Sequence, residues 1–163
     1  MPQLSMHTPI SDLTIHEWDG ALVALDWGWG GEDEPTPLLR EAKRQLDAYF
    51  DGDLTRFDLP FAPEGTPFQK RLWRALSDIP YGETRSYGEL ATALTSSARA
   101  VGTACGRNPL PILIPCHRVL AAGGNMGGYS GDGGLMTKKA LLVLEGAMSV
   151  EQGLMLEALG FLD

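Results

Sequence analysis

Pro60, Pro63, Gly65 and Pro67 fall within eight residues. Each proline lacks an N–H and fixes φ, so no continuous helix or central strand survives that density. The stretch reads as a linker. A chain of 163 residues cut there is expected to fold as a small α/β N-terminal domain over 1–63 and a larger C-terminal domain over 64–163. Hydrophobic residues make up 44% and charged residues 21%, enough apolar surface to build cores and too little net polarity for disorder.

In the first part, residues 11–27 predict a β-hairpin. Leu13 and Ile15 alternate with polar neighbours, Asp19-Gly20 is a strong two-residue turn, and Leu22 to Trp27 returns. Thr36-Pro37 supplies an N-cap and a proline at the first helical position. Leu38, Ala42, Leu46 and Tyr49 follow at helical spacing until Asp51-Gly52. No residue in this part carries an evident chemistry.

The second part opens on Thr66-Pro67-Phe68-Gln69, a capping box, with an apolar stripe at Phe68, Leu72, Leu76 and Ile79. Ser86-Tyr87-Gly88-Glu89 is a second capping box, and Ser97 caps a further helix. Two short helices with a brief turn suit a helix-turn-helix, whose second member carries Ala98, Arg99 and Gly102. Pattern alone places such a helix in the major groove of DNA. Seven glycines in residues 121–134 predict a loop close to a ligand or another backbone, and Thr137 to Glu145 predicts a helix. The tail 148–163 is apolar, broken by Gly153 and Gly160, and suggests no role.

The densest chemistry lies at Leu110 to Val119. An apolar segment bounded by prolines reads as a strand that delivers Cys116-His117-Arg118. Charge is distributed to match. The chain carries −8 overall, but residues 68–118 hold 7 basic and 3 acidic side chains, net +4. Residues 1–67 hold 4 basic and 13 acidic, net −9, so a general nucleic-acid coat is excluded while a local phosphate-facing surface is not. Nearby positive charge favours a thiolate. A cysteine is most often a small buried apolar residue, and that reading is kept for Cys105. His117 gains weight if Glu145 orients it, as a Glu–His–(water)–Cys relay. Glu145 is otherwise awkward, a carboxylate at a helix C-terminus. Asn108 reads as a helix-ending residue, Tyr87 as packing and Arg99 as a solvated face.

Taken in order, these segments resemble the O6-alkylguanine-DNA alkyltransferase (methylated-DNA–protein-cysteine methyltransferase) family. The resemblance rests on Ile114-Pro115-Cys116-His117-Arg118-Val119 and on Thr66-Pro67-Phe68-Gln69 with Trp73. It continues through Pro80-Tyr81-Gly82-Glu83, Ser86-Tyr87, Ala98-Arg99-Ala100-Val101-Gly102, Asn108-Pro109, Gly128-Tyr129-Ser130-Gly131 and Leu144-Glu145-Gly146. It is dense over 64–147 and loose before that.

The resemblance implies a ribonuclease-H-like α/β N-terminal domain and a mainly α, winged-helix-like C-terminal DNA-binding domain. It implies that Cys116 takes the alkyl group of O6-alkylguanine, and of O4-alkylthymine as a further substrate, in one irreversible displacement. His117, Glu145, Tyr87 and Asn108 would be the other catalytic residues, with Tyr87, Val119 and Ser130 around the base. Arg99, Ala98 and Gly102 would contact duplex DNA in the minor groove, Arg99 entering the stack as the damaged base is flipped out. No cofactor is implied. Some members bind zinc in the N-terminal domain, but residues 1–67 contain no cysteine, so no metal is expected. Members that only flag the lesion replace the nucleophile, and here Cys116 is present. The remaining alternatives are a lesion sensor without turnover and a thiol hydrolase with a Cys–His–Glu set. With no apolar run of membrane length and no leader pattern, a cytoplasmic monomer without a membrane partner is expected.

Overall fold

In the computed structural model, which describes residues 1–129, 131 and 133–158, the chain divides into two compact units, Met1–Glu64 and Gly65–Asp163. In the first, the hairpin forms as β2 (Leu13–Trp18) and β3 (Ala21–Trp27). Asp19 and Gly20 both take positive φ, 50° and 78°, the turn whose twist matches the strands. A further strand, β1 (Gln3–Met6), pairs antiparallel with β2 from Gln3↔His16 to Met6↔Leu13, giving the order β1-β2-β3. Four residues without a flanking turn dipeptide carry no hairpin signal, so β1 becomes visible only through its partner. Helix α1 (Pro37–Phe50) starts where the Thr36 hydroxyl accepts from the Leu39 N–H. It buries Leu39, Ala42, Leu46 and Tyr49, and Met6, Leu13, Ile15 and Leu22 of the sheet are buried in the same unit.

The second unit begins with α2 (Pro67–Ser77), whose capping box is complete: Gln69 N–H donates to Thr66 Oγ1 and Thr66 N–H donates to Gln69 Oε1. Trp73 lies in its buried face and donates from Nε1 to the Ala104 carbonyl at 3.3 Å. Any Cβ at Gly65 would stand 2.4 Å from the Trp73 ring, so the chain enters this unit through a position only glycine fits. Strand β4 (Arg85–Ser86) leads into α3 (Tyr87–Ala93), again through a full capping box, and Ser97 caps α4 (Ala98–Cys105). Helix α4 packs on both α2 and α3, with Val101, Ala104 and Cys105 buried.

Residues 110–114 are not a strand. Leu113 N–H donates to Pro111 O and Ile114 N–H to Leu110 O, both at 2.8 Å, and Ile112 sits at φ 72°. Asn108 closes the turn: its Oδ1 accepts from Leu110 N–H at 3.0 Å and its Nδ2 donates to Ile114 O at 2.8 Å. Prolines at 109, 111 and 115 remove ladder donors, and the segment satisfies its remaining polar groups locally. Its apolar side chains are nonetheless core, with Leu110, Ile112, Leu113 and Ile114 all buried. An apolar run marks burial, and here burial comes without strand pairing. A single 3-10 turn, Cys116–Arg118, follows. It leads into β5 (Val119–Leu120), which runs parallel to β4 with Arg85↔Val119 and Ser86↔Leu120. Helix α5 (Leu135–Leu144) packs on the 3-10 turn, and α6 (Val150–Ala158) packs on α5. The tail, to which the sequence assigned no role, thus contains a helix.

Candidate functional site

Three tight local structures bring the reactive groups together. The Asn108-braced turn ends at Pro115, and Cys116 N–H donates to Ile114 O at 2.8 Å, so the thiol is carried on rigid backbone. The Cys116 side chain is buried but lines a cavity of about 760 Å³. Tyr87 from the start of α3, Ala98, Arg99, Gly102 and Cys105 from α4, and Gly128 from the glycine-rich loop line the same cavity. Burial pushes the Cys116 thiol above its ordinary pKa, while hydrogen bonding from the Asn108 side chain and the charge of Lys138 draw it down. A thiol held this way needs a base to ionise.

His117 supplies the chemistry of one. It is fully buried, and its Nε2 stands 2.8 Å from Glu145 Oε2. The carboxylate fixes the tautomer: Nε2 carries the hydrogen and donates, leaving Nδ1 as the acceptor. Among the described residues Nδ1 has no protein hydrogen-bond partner. Burial lowers the imidazole pKa and the Glu145 hydrogen bond partly opposes it, so the ring is neutral near pH 7 and free to take a proton.

Glu145 caps α5, and its carboxylate accepts from both His117 and Arg118. Besides His117, Arg118 donates from Nε to Oε1 at 2.8 Å and from Nη2 to Oε2 at 2.9 Å. Arg118 also donates from Nη1 to Ile79 O at 2.7 Å. The bidentate guanidinium neutralises a carboxylate that would otherwise be a buried charge beside a helix C-terminus. The sequence reading gave Arg118 no task of its own, because its partners lie 27 and 39 residues away.

Tyr87 has its hydroxyl 3.5 Å from Gly128 O, and burial, followed by the neighbouring Cys105, raises its pKa to about 12. It therefore stays protonated and able to donate. Cys105 is likewise raised to about 12, first by burial, which leaves it an inert apolar wall. Arg99 and Ala98 are exposed at the mouth and Gly102 is half-buried. Val119 is buried directly after the cysteine turn. Ser130, expected beside the base, lies outside the described residues. Lys138 was missed by sequence reasoning altogether: it is wholly buried, and its ammonium donates to Val119 O at 2.6 Å, to Met126 O and to Gly128 O. The one available signal was the pair Lys138-Lys139 in the first half of a mostly apolar helix.

Comparison with known proteins bears on the same residues. Residues 67–147 match the family model described as "6-O-methylguanine DNA methyltransferase, DNA binding domain", and residues 4–63 match "6-O-methylguanine DNA methyltransferase, ribonuclease-like domain". A methylated-DNA–protein-cysteine methyltransferase of Mycolicibacterium paratuberculosis is 55% identical over 153 residues, covering 86% of this chain and 90% of its own. One from Methanosarcina acetivorans is 53% identical over 116 residues, covering 70% and 73%. Among solved structures, Mycobacterium tuberculosis O6-methylguanine methyltransferase superposes with TM-score 0.80 at 42% identity over 90% of this chain and 93% of its own. The M. tuberculosis OGT structure in complex with DNA gives 0.82 at 42% identity, covering 90% and 94%.

Proposed function

The chain belongs to the 6-O-methylguanine DNA methyltransferase family, matched over both its domains, and on that premise we propose that Cys116 is the acceptor of the alkyl group. The activity is DNA repair by transfer of an alkyl group from methylated DNA to a cysteine of the protein itself. The observation that carries the residue assignment is the buried His117–Glu145 pair directly behind a cavity-lining cysteine.

The reaction is a single displacement. His117 Nδ1, through one water, takes the Cys116 proton, and the Glu145 carboxylate stabilises the imidazolium that forms. The Cys116 thiolate attacks the alkyl carbon, the S–C bond forms as the O6–C bond breaks, and the electron pair passes to the purine. Tyr87 donates its hydroxyl hydrogen bond or proton to the departing guanine, consistent with a phenol whose pKa is raised. Asn108 holds the turn that aims the thiol, while Val119 is assigned to the base pocket; a base contact by Ser130 is expected from the family resemblance alone. The product is a thioether with no leaving group, so each molecule acts once.

The machinery is assigned to residues 64–163, with 1–63 as the ribonuclease-like companion. Base flipping through the minor groove is supported by α4, whose exposed outer surface is poor in charge and rich in small residues. Arg99 stands at the cavity mouth, with Ala98 and Gly102 allowing close approach. The lining of that cavity comes from residues between Tyr87 and Tyr129, and action as a monomer is part of the same proposal. Both cysteines are free thiols, as a reducing cytoplasmic setting would keep them, and among the described residues no helix is long and apolar enough to cross a membrane.

The decisive experiment incubates the protein with duplex DNA holding one O6-methylguanine and weighs the Cys116 peptide. One added methyl per protein, and no second turnover, is expected; an unmodified Cys116 peptide beside repaired DNA removes the assignment. A parallel duplex with O4-methylthymine tests the wider substrate. A thiol hydrolase would show multiple turnover, and a lesion sensor would function unchanged as Cys116→Ser.

A further inference from the structure

The segment Ile79-Pro80-Tyr81-Gly82, which follows α2, meets the end of α5 beside the Arg118–Glu145 pair. It is a tight turn, closed by Glu83 N–H donating to Pro80 O at 3.1 Å, with Gly82 at φ 84°. Ile79 O accepts from Arg118 Nη1 at 2.7 Å. The guanidinium carbon of Arg118 lies over the Tyr81 ring, 5.8 Å from its centroid. Tyr81 Oη donates to Leu144 O at 3.2 Å, a carbonyl at a helix end where intrahelical donors run out. A Cβ at Gly82 would stand 3.3 Å from Glu145 O, so glycine lets the turn lie against the backbone that carries the carboxylate.

The side chains of His117 and Glu145 are 0% exposed, whereas Arg118 retains 8%. Of these three side chains, Arg118 is thus the edge at which water can reach the buried pair. A guanidinium bound edge-on to a carboxylate points its hydrogens into its own plane and leaves its faces without donors. An aromatic ring covers such a face and attracts the charge as well. The hydroxyl bond to Leu144 O holds the Tyr81 ring in that place, and burial, followed by the charge of Glu145, raises the phenol pKa so that it stays a donor. Tyr81 does not line the Cys116 cavity.

We propose that Tyr81 is a positioning residue for alkyl transfer, its ring sealing the guanidinium face of Arg118 so that Glu145 stays dry and aligned on His117. The inference rests on the relay from Cys116 through His117 described above. No proton passes through Tyr81. The charged groups that act on His117 are Glu145 and Lys138 from α5 and Arg118 from its own turn. Helix α2 also packs on that turn, and its Lys70, Arg71 and Arg74 are exposed. Burial is the largest influence and keeps the imidazole neutral, so water admitted past Arg118 lets His117 hold a proton at higher pH.

The test compares wild type, Tyr81→Phe and Tyr81→Leu across about pH 5 to 8, by ¹⁵N-histidine NMR and by single-turnover methyl transfer from O6-methylguanine duplex at saturating protein. In Tyr81→Leu the His117 titration midpoint should rise to about 6.5 or above, and transfer at pH 6 should fall about fourfold below that at pH 8, as the neutral fraction of such an imidazole does. Tyr81→Phe keeps the ring and should restore both readouts, with only its urea midpoint lowered by loss of the Leu144 bond. A Tyr81→Leu protein with the wild-type His117 midpoint and rate profile overturns the proposal, as does a Tyr81→Phe protein that behaves like Tyr81→Leu. Should Tyr81→Leu fail to fold, solvent exchange of the Arg118 Nε–H, read by ¹⁵N-arginine NMR in wild type and Tyr81→Phe, decides. Slow exchange is expected in both, and exchange as fast as that of the exposed Arg74 overturns the proposal. The NMR readouts need no DNA, so a wild-type protein that takes no methyl group counts against the alkyl-transfer reading, while an unmoved His117 titration counts against the role of Tyr81.

Discussion

His117 Nε2 stands 2.8 Å from Glu145 Oε2, with both side chains fully excluded from solvent. The same carboxylate is gripped from its other side by Arg118. Glu145 thus has two tasks that a substitution can separate. It neutralises a buried guanidinium, which is a matter of stability, and it orients an imidazole, which is a matter of rate.

Arg118→Met leaves Glu145 buried with its principal cation gone, and should destabilise the protein by about 3–5 kcal/mol. Adding Glu145→Gln to that variant removes the stranded charge and should recover more than half of the loss in urea unfolding. Methyl transfer should stay slow in the double variant, because His117 still lacks its carboxylate. Recovery of stability and rate together would show that Glu145 does not act through His117.

Burial holds His117 below the ordinary imidazole value of 6.5, against the Glu145 hydrogen bond. Below 6.5 the unfolded chain therefore binds a proton that the folded chain refuses, and stability falls as pH drops. Above 6.5 this contribution is fully present. Single-turnover transfer should stay flat to a lower pH than a solvated imidazole would permit, because the base remains neutral. Urea midpoints and transfer rates across about pH 5 to 8 check both, and a rate that halves near 6.5 would contradict the depressed value.

Asn108→Ala removes the acceptor for Leu110 N–H and the donor to Ile114 O. Leaving these buried main-chain groups unpaired should cost about 1–3 kcal/mol and slow transfer, since the turn that carries Cys116 is no longer closed. Asn108→Asp keeps the acceptor but places a negative charge near the thiol, so the pH profile of Cys116 alkylation by iodoacetamide should move to higher pH. An unmoved profile would place Asn108 in a purely structural role.

Arg99→Ala should lower the rate of methyl transfer from duplex DNA far more than it lowers affinity for undamaged duplex, because a residue that enters the stack contributes mainly after base extrusion. Phosphate contacts alone would reduce both together and flatten the salt dependence. Transfer to a free O6-alkylguanine base should be unaffected, and a matching loss there would move Arg99 into the cavity chemistry.

Local chemistry was legible throughout the chain. Thr36, Thr66, Ser86 and Ser97 all cap the helices their spacing announced, and Asp19-Gly20 makes the hairpin it announced. Each of these signals is completed within about four residues, where side-chain reach and backbone geometry settle the outcome. The turn at 110–114 defeated the same reasoning. Hydrophobicity there reports burial and not backbone shape, and what chose the turn was Asn108 together with three prolines.

By itself the sequence determined the linker, the caps, the helix pair and a cysteine beside a histidine, because these depend on neighbours along the chain. Only the tertiary structure decided which polar groups are buried and what they face. Arg118 could be assigned to Glu145, and Lys138 to the carbonyls of Val119, Met126 and Gly128, only once residues 10 to 39 positions apart were packed together. A buried charge is stable only where its partners are already in place, and those partners are supplied by the fold.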